Sequence, residues 1–143
     1  MNEAGASGAE RLVRAYYAAF NAGDVEGFLA LLTDDVAHDV NQGEREAGKP
    51  AFRRFLEHMN RCYRERIEDV VVLTDPAGTR AAAEFVVHGT YIATDPGVPP
   101  GTPAARGQTY RLPAGAFFTL RDGRIARISN FYNLPDWLRQ IAA

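Results

Sequence analysis

Tyr16, His38, Asp39, Asn130 and Tyr132 are the side chains whose types and placement could move a proton in this chain. Tyr16 lies on the apolar stripe Leu12, Val13, Tyr16, Tyr17 and Phe20. Such spacing turns its phenol inward, where a cavity could use it as a hydrogen-bond donor. His38 and Asp39 are neighbours in a short extended stretch, and a strand shows alternate residues to opposite faces. One register turns His38, Val40 and Gln42 inward, and the other turns Asp39 and Asn41. An imidazole, with a reference pKa of about 6.5, can give or take a proton at neutral pH. Asp39 becomes the base in the alternative register. On the last strand Ile128, Asn130 and Tyr132 share a face, and the latter two could donate to a developing oxyanion. Tyr17, Phe20, Phe55, Met59 and Tyr110 are the expected apolar and aromatic walls.

The elements that must position these groups follow from hydrophobic period. Residues 9–22 have helical spacing, Gly23 ends that helix and Asp24 can cap the next. Val25, Phe28, Leu29 and Leu32 give a short second helix, closed by Thr33-Asp34-Asp35. Val36 to Gln42 is a short strand, and Glu44 to Lys49 a polar loop. Pro50 suits the first turn of a third helix, whose buried stripe is Phe52, Phe55, Leu56, Met59, Cys62 and Tyr63. His58 falls on its polar side, and Cys62 on its buried side without an evident histidine partner. Strands follow at 67–74, 80–94, 108–120 and 124–133, the last two joined by Asp122-Gly123, a hairpin signal. A Pro/Gly loop fills 95–107, and Leu134, Trp137, Leu138 and Ile141 make a closing helix. Helices first and an antiparallel meander after them is an α+β pattern.

The chain has 143 residues, 46% hydrophobic and 24% charged, with a net charge of -2. That is one domain with a real core, expected at 9–143 behind a loose tail at 1–8. The charge calls for neither nucleic acid nor an anionic membrane. A single cysteine cannot form an internal disulfide, so a reducing cytoplasm suits the chain. No apolar run approaches the roughly 20 residues of a membrane-spanning helix. Ser7 and Ser129 are the two serines, and neither sits in a nucleophile elbow. There is no phosphate loop or dinucleotide fingerprint, and His38, His58 and His88 show no metal-site spacing. No cofactor and no metal are expected.

Motif order then points to a family. Asn21-Ala22-Gly23-Asp24, Leu31-Leu32-Thr33-Asp34-Asp35-Val36, Gly89-Thr90-Tyr91 with its Pro/Gly loop, and Asp122-Gly123-Arg124-Ile125 before Asn130-Phe131-Tyr132-Asn133-Leu134 occur in sequence. Together they resemble the nuclear transport factor 2-like (NTF2-like) superfamily, in particular ketosteroid isomerase and SnoaL-like polyketide cyclases, over roughly residues 10–141. The segments His38 to Gly43 and Asn60 to Arg64 resemble the subgroup of ketosteroid isomerase-related proteins.

The resemblance implies a cone-shaped α+β barrel, a curved antiparallel sheet wrapped around N-terminal helices. It implies a homodimer through the outer sheet face and a small hydrophobic ligand in the cone. An isomerase of this kind needs a carboxylate base, a tyrosine and a protonated acid. Tyr16 matches the tyrosine. The base position falls on Val40, and the second acid would come from Leu112 to Ala116, which holds no carboxylate. At the place where the cyclases commonly carry an aspartate stands Asn133. The expectation is therefore proton transfer on an apolar carbonyl compound with a different base, His38 first. A non-catalytic ligand-binding or dimeric assembly module is the competing expectation.

Overall fold

The computed structural model describes residues 7–143. Helix α1 (Gly8–Ala22) starts where the Ser7 hydroxyl accepts the Glu10 N–H at 2.9 Å. It ends at Gly23, whose φ of 69° is the left-handed cap that glycine adopts freely. Ser7 and Gly8 thus belong to the helix start and not to a tail; residues 1–6 lie outside the described part. Helix α2 (Val25–Ala30) is capped by Asp24, which accepts the Gly27 N–H at 2.9 Å.

Strand β1 (Leu32–Val40) begins four residues before the expected Val36. Thr33-Asp34-Asp35 reads as a helix end because its polar residues favour turns. Here it is extended chain, and pairing with the last strand shifts register between Leu32 and Ala37. The expected polar loop contains a short edge strand, β2 (Arg45–Ala47), paired with β1. Helix α3 (Lys49–Cys62) carries Pro50 in its first turn. Strand β3 (Tyr63–Thr74) follows with no intervening residue, four positions earlier than the expected 67. β4 (Arg80–Tyr91), β5 (Gln108–Arg121), β6 (Arg124–Tyr132) and α4 (Leu134–Ala142) complete the chain.

The sheet has six strands in the order β2-β1-β6-β5-β4-β3. The meander β3 to β6 is antiparallel as expected, but β1 lies parallel to β6. The sheet is therefore mixed at that junction. The chain can close a parallel pair there because helix α3 and the long meander separate the partners.

The inner face packs on the helices through Val13, Leu32, Val36, Phe52, Tyr91, Phe118, Ile125, Ile128 and Ile141, each less than 3% exposed. Each such apolar side chain contributes roughly 1.5–3 kcal/mol. Strand alternation holds well on β4, where Ala81, Ala83, Phe85 and Val87 are buried and Glu84 is exposed. Gly89 pairs with Tyr110, whose ring lies over the glycine where a Cβ would stand. Trp137 of α4 packs edge-on to Tyr63, Tyr91 and Tyr110. Gln140 fastens α4 to β5 by bonding both the N–H and the carbonyl of Arg111 at 2.9 Å.

Candidate active site

Between the helices and the concave sheet lies a cavity of about 690 Å³. Tyr16, Tyr17, Phe20, Val40, Phe55, Met59, Asn130 and Tyr132 all line it, as the sequence leads one to expect. Burial raises the Tyr16 phenol well above its usual pKa, so it is a donor and never a phenolate at neutral pH. Tyr17 is raised in the same way, first by burial and then by Tyr16, and its hydroxyl has no hydrogen-bond partner among the described residues.

Other expected site residues stand elsewhere. His38 is 2% exposed and is not part of the lining. Its ring stacks on Phe52 at 4.1 Å and meets Phe55 edge-on. Burial lowers its pKa to about 4, only partly offset by the Asp39 charge, so the ring is neutral at physiological pH. Its Nε2 lies 3.3 Å from the Asn130 amide nitrogen, which makes His38 a support for Asn130. Asp39 occupies the opposite face. It forms a two-pronged ion pair with Arg45 at 2.7 and 3.0 Å and accepts the Ser129 hydroxyl at 2.6 Å. Those bonds hold its carboxyl near a pKa of 2 and outside the cavity. Asn41 and Gln42 leave the strand with φ of 49° and 67°. Asn41 then caps β6 by accepting the Tyr132 N–H at 3.0 Å. Ile128 is fully buried core. Tyr110 is one layer behind the wall, its hydroxyl on Glu65.

Five polar residues of the lining were not expected there from sequence: Asp24, His58, Asn60, Glu65 and Asp95. Glu65 falls between Tyr63 and Ile67 on the inner face of β3. Placing the strand start at 67 hides it; the alternation Tyr63, Glu65, Ile67 is the signal that would have exposed it. Burial pushes the Glu65 carboxyl above its ordinary pKa, against the lowering effect of the Tyr110 hydrogen bond. Asp95 lies in the β4–β5 loop, which begins at Ile92 because β4 stops at Tyr91 and not at the expected 94. Burial raises its carboxyl too, but hydrogen bonds from the Tyr63 hydroxyl, the Gly97 N–H and His58 outweigh this and leave it below the usual range. His58 is half-buried and not freely solvated: its Nε2 is 3.0 Å from Asp95 Oδ2, and the residue lines the cavity. Tyr132 is raised by burial and by both Glu65 and Asp95, so its phenol stays protonated beside two carboxyl groups. Cys62 is buried, and burial followed by the Asp95 charge raises its thiol pKa; it is no nucleophile.

The site thus separates two carboxyl groups by environment. Glu65 is drawn toward its neutral form, and Asp95 is kept ionised. Pairs pushed apart in this way commonly divide acid and base work. The lining contains Asp24, Glu65 and Asp95 but no lysine or arginine.

The SnoaL-like domain profile matches residues 13–128. A crystal structure of a candidate polyketide cyclase from Pseudomonas putida KT2440 is 60% identical, with 94% of this chain and 98% of that one covered and a TM-score of 0.88. Its counterpart from Xanthomonas campestris pv. campestris is 54% identical over 94% and 96% of the two chains, also with a TM-score of 0.88. An NTF2-like protein from Burkholderia xenovorans LB400 shares the fold at 17% identity, over 94% and 95% of the chains, with a TM-score of 0.72. No curated protein matches the chain. With the profile spanning most of its length, the chain belongs to the SnoaL-like domain family and has the NTF2-like fold.

Proposed function

We propose that this protein is an enzyme of cyclase or isomerase type that moves a proton on a neutral, apolar carbonyl compound, with Glu65 as the acid–base group. The observation that carries this reading is Glu65 itself, a carboxyl that lines the cavity and whose pKa is raised by burial. A base poised nearer neutrality takes a carbon-bound proton and returns it without a large mismatch in either direction. Tyr132 and Tyr16 supply protonated phenols to hold the enolate oxygen, and Asn130, steadied by His38, supplies an amide. Tyr110 anchors the carboxylate from behind.

Glu65 also weighs against the non-catalytic module, whose motive is the loss of both carboxylates from the positions matched to the isomerase. Three carboxyl groups and no lysine or arginine in the lining favour a neutral substrate over a carboxylate or phosphate ester. The outer sheet face, with Val71, Leu73, Phe117 and Phe131 exposed, is the surface for pairing with a second copy of the chain.

The experiment is a screen of enones, β-keto esters and other carbon acids, reading deuterium exchange at the activated carbon. Glu65→Gln is expected to lower the rate by about 100-fold or more. A rate unchanged by that substitution would remove Glu65 from the chemistry.

A further inference from the structure

His58, Cys62 and Asp95 meet on the loop side of the cavity. His58 and Cys62 are four residues apart on α3 and therefore share one face of the helix. Asp95 arrives from the β4–β5 loop, tied to the end of α3 by the Ile92 and Ala93 N–H groups donating to the Cys62 carbonyl. One donor atom from each of the three side chains lies within 4.8 Å of the others, and His58 Nε2 and Asp95 Oδ2 are 3.0 Å apart. A tetrahedral zinc site, with bonds of roughly 2.0–2.3 Å, has edges of roughly 3.3–3.8 Å. The cluster reaches that size by side-chain adjustments of up to about 1.3 Å per edge.

We propose that His58, Cys62 and Asp95 form a binding site for one zinc ion, with the fourth coordination position open to the cavity. The nitrogen, sulfur and oxygen donors suit zinc and not magnesium or calcium, which take oxygen. A thiolate and a carboxylate cancel the charge of the dication, so the filled site adds no net charge to an apolar wall. The carboxylate is already oriented by a second layer. The Tyr63 hydroxyl donates to Oδ2 at 2.7 Å and the Gly97 N–H to Oδ1 at 2.8 Å. Metal binding replaces the His58–Asp95 hydrogen bond and expels the Cys62 thiol proton. His58 and Asp95 both line the cavity, so the open position takes an oxygen from water or from the cavity ligand. The site is separate from Glu65, and either assignment can fail alone.

Cobalt(II), a spectroscopic substitute for zinc, is the probe, added to the full-length protein. One equivalent should bind and give a thiolate-to-cobalt charge-transfer band in the near ultraviolet, which added zinc removes. Cys62→Ser should abolish the band, and His58→Gln and Asp95→Asn should each weaken cobalt binding about tenfold or more. His58 is half-buried, so His58→Gln carries the test if Cys62→Ser does not fold. Glu65→Gln should bind cobalt as well as the wild-type chain does, which separates this site from the acid–base assignment. Saturation with no charge-transfer band, or equal binding by all three ligand variants, would overturn the proposal.

Discussion

Glu65 and His38 are both buried ionisable groups, and burial acts on them in opposite ways. Removal from water disfavours charge, so the carboxyl rises and the imidazole falls. For His38 this has a stability consequence with a definite sign. The unfolded chain takes up a proton near pH 6.5, while the folded chain resists until about pH 4. The contribution is present above pH 6.5 and is lost as the pH falls toward 4. Wild-type protein should lose about 2 kcal/mol more than His38→Gln between pH 7 and pH 5 in urea unfolding. Equal losses would mean that the ring is solvated. Sequence reasoning could tie His38 to the face of Val40 by alternation, and left open which of the two registers turns that face inward. It could not show that Phe52 and Phe55 seal the ring from the cavity, since that depends on how α3 crosses β1. Asp39 illustrates the converse. Its partner Arg45 sits on a short edge strand that reads as a polar loop, and Ser129 comes from β6, far away in sequence.

At the level of elements, hydrophobic period located every helix and every long strand, while the starts of two strands were displaced where polar residues stand in them. Thr33-Asp34-Asp35 at the start of β1 and Glu65 at the start of β3 are the two cases. Each carries charge where the pattern leads one to look for apolar residues, and the second is the proposed acid–base group. The β4–β5 pair shows a tighter constraint. Tyr110 covers Gly89, and its hydroxyl reaches Glu65. Gly89→Ala should displace the ring, weaken that hydrogen bond and destabilise the fold by about 1–3 kcal/mol through overpacking. Thermal unfolding reads the stability. The pH–rate profile of the proposed reaction should shift to higher pH, because Tyr110 no longer opposes the rise in Glu65 pKa.

The whole molecule presents two unlike surfaces. The concave one holds the cavity and its carboxylates, and the convex one exposes Phe117 against Phe131, with Val71 and Leu73 nearby. Large apolar side chains exposed on a sheet face are a pairing surface in the reading proposed above. Light scattering should find a dimer for the wild-type chain, and Phe117→Asp should shift it to monomer without changing the circular dichroism. A monomer in both would remove the dimer from that reading. Overall architecture was legible from motif order, because the NTF2-like arrangement depends on the order and length of elements. The polar half of the site was less so, since Glu65, His58 and Asp95 come from a strand start, a helix flank and a loop that only the closed cone brings together. The direct passage from Cys62 at the end of α3 to Tyr63 at the start of β3 has a consequence for how this molecule can vary. With no connecting residue to absorb a change in length, the phase of the strand is geared to the phase of the helix. One inserted residue at that junction would turn Glu65 to the outer face and Arg64 to the inner one. Changes in chain length are therefore confined to places such as the β4–β5 loop, and the acid–base position is held by the gearing of two elements as much as by its own contacts.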